Sequence, residues 1–338
     1  MDHLAPLPPN TTAQPLLDIS HLTVQLHTRH GTIQPLHDFN LTLHHGETWG
    51  LIGESGSGKT LAMLAVMGLL PRNATAHGSI RLNGQELLGM DEPAWCRVRG
   101  SRIGMVFQEP MTALNPLQRV GDAVAEPLRL HRRLSAQAAR EQAIGWLERV
   151  GIEHASERWR DYPHQFSGGQ RQRIVLASAL ACQPQVLIAD EPTTALDSTV
   201  QAQMLDLLQK LVAQEGMAMI LISHDLALVA RHVQRISVLY AGRVLEQGSS
   251  QAVFSHAAHP YTRALLAARP RLDQPRGTPL ASIGGCLPDL YSLPQGCRFA
   301  ERCQQAQDVC RESAPPERTV PADGPPHCVR CFFPQHPS

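Results

Sequence analysis

The stretch that most constrains this chain is the octapeptide Gly53-Glu54-Ser55-Gly56-Ser57-Gly58-Lys59-Thr60, which fits G-x-x-x-x-G-K-[ST]. A short apolar run, Trp49-Gly50-Leu51-Ile52, precedes it and reads as a buried strand. Leu61 to Leu70 follows, mostly good helix formers, and Pro71 stops it. Strand, glycine-rich loop and helix together turn a pattern into a mechanism, because such a loop aims backbone N–H groups at a polyphosphate. Gly53, Gly56 and Gly58 let the backbone approach closely. The helix N-terminus adds partial positive charge. Lys59 is expected to reach the β- and γ-phosphates, and Thr60 to offer its hydroxyl to Mg²⁺. A chance Gly/Ser turn would account for the loop but not for the strand and helix around it.

The remaining chain alternates strands and helices. Leu16 to His45 alternates in short apolar steps, with turns expected at Arg29-His30-Gly31 and His45-Gly46. Gly78 to Leu88 reads as a hairpin turning at Asn83-Gly84. Ile103 to Phe107 is a short buried strand ending at Gln108. From Pro116 to about Tyr162 the pattern is helical, with Ser135 as an N-cap and Gly151 as a stop. Phe166-Ser167-Gly168-Gly169-Gln170 leads into a helix ending near Cys182. Val186 to Ala189 is a buried strand closed by Asp190-Glu191. A helix over Ser198 to Glu215, a strand over Met217 to Ile222, a helix over Leu226 to Val233 and a hairpin over Ile236 to Val244 complete it. This alternation, with polar groups at strand ends, predicts an α/β protein with a doubly wound parallel sheet.

Composition limits the function classes. At 338 residues and 43% hydrophobic, the chain can hold one large domain and a small one. Its net charge of zero gives no bulk footprint for nucleic acid or an anionic membrane. Residues 1–15 carry prolines and no basic stretch before an apolar one, so a disordered tail is expected there rather than a signal peptide. No apolar run approaches a membrane span, and a cytosolic protein is expected. Its eight cysteines are then not expected to be disulfides. Cys96 and Cys182 are isolated, and the other six lie from Cys286 to Cys331.

The polar strand ends carry the expected chemistry. Asp190 suits the acid that holds Mg²⁺ beside Thr60, and Glu191 suits a general base for an attacking water. Gln108 is placed to touch the metal and that water, and His224 to sense the γ-phosphate.

In the order GESGSGKT, Gln108, FSGGQ, VLIADE, Ala195-Leu196-Asp197 and His224, these pieces resemble the ATP-binding subunits of ABC transporters over roughly Leu16 to Gly248. The family knows them as the Walker A, Q-loop, signature, Walker B, D-loop and H-loop motifs. Ser167-Gly168-Gly169-Gln170 is the most specific, since other phosphate-loop ATPases lack it. A hydroxyl and glycine N–H groups at a helix start make a second anion site. The resemblance implies that this site closes on ATP held by a partner subunit. It implies a P-loop NTPase (RecA-like) core, an antiparallel β subdomain and an α-helical signature subdomain over about 110–180, all within 16–257. One position departs from the family. Leu26, with His27 beside it, falls where an aromatic residue usually stacks on adenine.

The resemblance narrows with Phe107 to Pro116, Tyr162 to Gln170 and His259-Pro260-Tyr261-Thr262-Arg263-Ala264-Leu265-Leu266. These look like the oligopeptide/dipeptide importer branch, which nickel importers share. A bacterial-type importer motor is therefore expected on the cytoplasmic face of the inner membrane. The resemblance implies two permease subunits, a second and different ATPase subunit and, indirectly, an extracytoplasmic solute-binding protein. A soluble ABC ATPase of translation or DNA repair is the alternative, but such proteins resemble fused ATPase halves or carry long insertions, and this chain has neither.

A small Cys-rich extension is expected over 258–338. Cys297, Cys303, Cys310 and Cys328 follow the spacing C-x₅-C-x₆-C-x₁₇-C, with Cys286 and Cys331 spare and either able to replace one of the four. Four thiolates suit Zn²⁺ or an iron–sulfur cluster. The spacing of those four lacks the paired C-x₂-C knuckles usual in zinc sites, and the resemblance to peptide-importer ATPases implies a [4Fe–4S] cluster with a structural role.

Overall fold

The computed structural model describes residues 14–108, 113–193, 197–268, 282–322 and 325–335. Most of the expected N-terminal tail, Glu109 to Thr112 after the Q-loop, and Ala195-Leu196 of the D-loop lie outside them. The described residues divide into two compact units. One draws on those within 1–42, 49–88 and 223–338, the other on those within 43–48 and 89–222.

In the first unit, strands β1 (Leu17–Thr28), β2 (Gly31–Leu43), β4 (Ala74–Leu82) and β5 (Gln85–Glu86) form a sheet in the order β2-β1-β4-β5. β1 and β4 pair antiparallel, Leu17 opposite Leu82. Asn83 (φ 50°) and Gly84 (φ 76°) make the expected tight turn, both residues left-handed as a two-residue hairpin requires.

The same unit contains β3 (Thr48–Ile52), α1 (Lys59–Val66), β9 (Arg235–Tyr240) and β10 (Arg243–Ser249). β3 and β9 run parallel, Trp49 opposite Arg235. β10 is antiparallel to β9, and the tail strand β12 (His327–Val329) is antiparallel to β10. β11 (Arg318–Val320) then pairs antiparallel with β12. The expected parallel sheet is thus a mixed one. Its antiparallel margin arises because β9 returns through the tight turn Ala241-Gly242, which leaves no room for a crossover helix. β10 runs on to Ser249, past the expected end at Val244, because its ladder with β9 continues to Ser249 opposite Arg235, with β12 joining on its other side at Glu246 and Gln247. The unit also holds α8 (Leu226–Ala230), α9 (Ser250–Ser255) and α10 (Pro260–Ala267). α8 ends before the expected Val233, where His232 Nδ1 hydrogen-bonds to the Leu228 carbonyl at 2.7 Å.

The second unit contains the parallel strands β6 (Ile103–Val106), β7 (Val186–Asp190) and β8 (Ala218–Ser223) in the order β8-β7-β6. Every residue of β7 is buried, which explains its unbroken apolar run. Helices α2 (Glu92–Val98), α3 (Val120–Arg132), α4 (Ala136–Arg149), α5 (Ala155–Arg158), α6 (Gly168–Leu180) and α7 (Ser198–Glu215) belong here. The Ser135 side chain accepts the Ala138 N–H at 3.2 Å, and Asp197 accepts that of Val200 at 2.9 Å, so both helices start on a side-chain cap. No helix among the described residues is long and apolar enough to cross a membrane.

Candidate nucleotide site

The phosphate loop spans the gap between β3 and α1. A Cβ on Gly53 would run into the Leu239 carbonyl of β9, so only glycine fits where the loop leaves the sheet. Gly58 stands at the N-cap of α1 with φ 103°, turning the chain into the helix. The Lys59 ammonium is buried and donates to the carbonyls of Gly53 (2.8 Å) and Glu54 (2.9 Å) and to Ser57 Oγ (3.4 Å). It therefore sits over the concave side of its own loop. Ser57 is fully buried and its carbonyl accepts the Gly242 N–H at 2.9 Å. Ser55, Gly56 and Thr60 are exposed, which leaves the Thr60 hydroxyl open to solvent.

In the second unit, Asp190 ends β7 with only 2% exposure. Glu191 follows at φ 45°, a left-handed conformation that costs a non-glycine residue on the order of 1 kcal/mol. Its N–H is held by the Ile222 carbonyl at 3.0 Å, at the end of β8. Its carboxylate accepts the Gln108 side-chain amide at 3.0 Å. Two residues 83 apart in sequence are thereby joined, because β6 and β7 are parallel neighbours whose C-terminal ends coincide. Asp197 of the D-loop serves as the α7 cap, and His224, in the first unit, is exposed after β8.

The signature segment is a reciprocal helix cap. Ser167 Oγ accepts the Gln170 N–H at 3.3 Å, and Gln170 Oε1 accepts the Ser167 N–H at 3.1 Å. This capping box fixes the start of α6 and leaves Ser167 and Gly168 exposed. A Cβ on Gly168 would meet nothing within 4 Å, so glycine is there for open backbone rather than for packing. Behind it, buried Phe166 lies under the Arg158 guanidinium at 3.8 Å.

The expected adenine contact is indeed without an aromatic residue at Leu26, which is half-buried beside exposed His27. Sequence reasoning missed what the C-terminal segment brings to this strand end. Tyr291 Oη hydrogen-bonds Thr28 Oγ1 at 2.7 Å, and its ring meets His30 edge-on. It also missed Tyr261, which accepts the Glu54 N–H at 3.0 Å, and Arg302, which pairs with the Glu54 carboxylate. These residues follow the loop by about 200 positions or more, and no periodicity or motif ties them to it.

The cysteines need one correction. Cys297, Cys303, Cys310 and Cys331 line a small cavity of about 20 Å³ with Phe299, whereas Cys328 is not in its wall. Cys328 sits on β12, opposite Gln247 and Thr319, and alternation along that short strand points it away from the others. Burial raises the thiol pKa of Cys297 and Cys303, and pushes Cys331 up to about 11. Among the described residues, no group of three or more His, Cys, Asp or Glu stands at the spacing that holds a single metal ion.

With this geometry in hand, comparison with known proteins gives a consistent answer. The family described as ABC transporter matches residues 36–194, and the one described as oligopeptide/dipeptide transporter, C-terminal region, matches 245–310. A putative peptide import ATP-binding protein of Brucella melitensis is 47% identical over 329 residues, 94% of this chain and 97% of its own. The oligopeptide transport ATP-binding protein OppD of Salmonella typhimurium is 44% identical, covering 98% of this chain and 96% of its own. The dipeptide transport ATP-binding protein DppD of Bacillus subtilis is 43% identical over 94% of each. Among solved structures, a dimeric bacterial ABC transporter cassette superposes with a TM-score of 0.62 at 30% identity, over 69% of this chain and 98% of its own. Its post-hydrolysis form bound to ADP and Pi matches with the same TM-score at 29% identity.

Proposed function

This chain belongs to the ABC transporter family of ATP-binding subunits, and from that premise we propose that it drives import of dipeptides or oligopeptides by hydrolysing ATP. The observation that carries the reading is the Gln108–Glu191 pair, a general base held ready at a strand end, in a chain with an intact phosphate loop and signature. Peptide-import relatives matching nearly the whole length favour this cargo over nickel, and a transport role over translation or repair.

The roles divide by chemistry. Backbone N–H groups from Gly53 to Thr60 cradle the phosphates, and Lys59 leaves its loop carbonyls for the β- and γ-oxygens. Thr60, Gln108 and Asp190 are the oxygen donors that would hold Mg²⁺, which would supply charge neutralisation at the phosphates. Glu191 accepts the proton of an attacking water, Gln108 orients its carboxylate, and His224 contacts the γ-phosphate. Ser167, Gly168, Gly169 and Gln170 form the anion site for ATP held by a second, different ATPase subunit. ATP-driven closure of that pair moves two permease subunits, served outside by a solute-binding protein, and product release reopens it. The subunit works peripherally at the inner face of the cytoplasmic membrane. Its ATP-binding domain takes residues 16–257 and its importer-type extension 258–338.

We infer that Cys297, Cys303, Cys310 and Cys331 would hold a [4Fe–4S] cluster rather than Zn²⁺. The reading rests on the cysteine spacing and on the resemblance to peptide-importer ATPases, and these four thiols line one cavity. The cluster would supply order, not catalysis. Iron, sulfide and zinc assays on anaerobically purified protein test this, and one zinc without iron would refute it.

For the main reading, the subunit is co-purified with its permease partners and reconstituted. ATPase activity is expected to rise when peptide-loaded binding protein is added. Stimulation by nickel and none by peptides would reverse the assignment.

A further inference from the structure

A loop that must hold a polyphosphate carries an anion, Glu54, as its second residue. Unneutralised, that carboxylate would repel the ligand. The C-terminal segment supplies the neutralising charge. Arg302 makes two parallel hydrogen bonds to Glu54, Nη1 to Oε2 at 2.9 Å and Nη2 to Oε1 at 3.0 Å. Its remaining donors are also used: Nη1 to Tyr240 Oη at 3.1 Å, Nη2 to the Ile283 carbonyl at 3.1 Å and Nε to the Gly284 carbonyl at 2.8 Å. All five guanidinium N–H groups thus have acceptors, in a side chain only 6% exposed. A buried, fully satisfied, forked pair between residues 248 apart is a built contact, and lysine cannot reproduce its geometry.

Glu54 is gripped at two further points, its N–H by Tyr261 Oη and its carbonyl by Lys59. One turn before Arg302, Arg298 donates to the Ala241 carbonyl, and the adjoining Gly242 N–H holds the Ser57 carbonyl at 2.9 Å. The segment therefore braces the loop directly at Glu54 and through the β9–β10 turn at Ser57. All these residues lie in one compact unit.

We propose that Arg302 is a positioning residue for ATP hydrolysis: it neutralises Glu54 and locks the phosphate loop in its phosphate-accepting shape from the far end of the chain. The proposal rests on the phosphate loop holding ATP. Wild-type protein that bound no ATP would refute that premise, whereas normal wild-type binding with indifferent Arg302 variants would refute only this inference.

The test is a double-mutant cycle on the full-length protein, reading KM and kcat for ATP. Arg302→Gln is expected to raise KM on the order of tenfold with kcat within about twofold, since the general base is untouched. Adding Glu54→Gln to it is expected to recover most of that loss, because the unpaired carboxylate is gone. A merely structural Arg302 would leave the double variant as impaired as Arg302→Gln alone, and that outcome overturns the proposal. If Arg302→Gln does not fold, Arg302→Lys retains a charge without the fork. A KM raised about threefold in that variant supports positioning, and an unchanged KM overturns it.

Discussion

Gln108 Nε2 lies 3.0 Å from Glu191 Oε2, tying the ends of two neighbouring parallel strands through the carboxylate proposed to activate water. The left-handed backbone at Glu191 gives that carboxylate its direction, and the glutamine amide keeps it there. Glu191→Gln is expected to slow hydrolysis by on the order of 10²-fold while ATP still binds, because only the proton acceptor is lost. Single-turnover hydrolysis and a nucleotide-binding assay on the same preparation separate the two. A variant with wild-type turnover would move the base elsewhere.

Gln108→Ala acts on the same carboxylate from outside. It is expected to lower kcat by roughly tenfold with little change in KM for ATP, the signature of a lost orienting contact rather than lost binding. A change confined to KM would mean that Gln108 serves the nucleotide and not Glu191.

Lys59 holds both its own loop and, in the proposed cycle, the phosphates. Lys59→Ala is therefore expected to abolish measurable ATP binding and also to lower the melting temperature, since three loop acceptors lose their donor. Calorimetry for binding and thermal unfolding for stability check the two halves. Unchanged affinity would contradict the phosphate-loop assignment.

Ser167 separates cap from function. Ser167→Ala removes the α6 N-cap and is expected to cost about 1 kcal/mol of stability. Ser167→Arg should leave ATP bound to this chain's own loop yet stop hydrolysis in the assembled pair. Denaturant unfolding tests the first. ATPase assays of mixed dimers test the second, and full activity at both sites would refute the shared-site mechanism.

The thiols give a prediction that needs no variant. In protein stripped of any cluster, burial holds Cys331 up to about 11 and also raises Cys297 and Cys303, so at pH 8 all three stay protonated and slow to react. Exposed Cys96 and Cys286 should alkylate first. Mass spectrometry of peptides after brief iodoacetamide treatment reads the order, and early labelling of Cys331 would contradict the described cavity.

Where sequence reasoning succeeded, the governing physics was local. Asn83-Gly84 demands a tight turn whatever surrounds it, Ser135 and Asp197 cap helices within three residues, and Val186 to Ala189 has the composition of a strand buried on both faces. The phosphate loop, signature and strand-end acids were legible for the same reason, as each is a contiguous stretch with a fixed backbone use. What stayed hidden depends on pairing across long separations. Nothing near Arg302 announces Glu54, and nothing near Gln247 announces Cys328. The choice between Cys328 and Cys331 turned on which side of a three-residue strand faces the cavity, a parity that spacing alone does not reveal. The hairpin over Ile236 to Val244 was legible and turns at Ala241-Gly242, but the two tail strands that extend its antiparallel margin, β12 and β11, were not, because each is only three residues long.

Glu246 shows how firmly the tail is joined. Fully buried on β10, it accepts the Ala258 N–H at 2.6 Å and that of His259 at 3.0 Å, and it hydrogen-bonds His327 Nε2 of β12 at 2.7 Å. Glu246→Ala is expected to destabilise the protein by on the order of 3 kcal/mol, leaving several buried groups unpaired. Equilibrium unfolding in urea would measure it, and a loss below about 0.5 kcal/mol would show that the tail docks by other means.

The pairing of β12 on β10 has a consequence for anyone cutting this chain shorter. Removing the last residues would uncover the backbone of β10 from Leu245 to Gln247, next to apolar Val244. Such an open strand is a template for another copy of itself. A shortened subunit would meet its own kind before it met a transporter, and insolubility on expression would record the loss of an edge guard rather than of any activity.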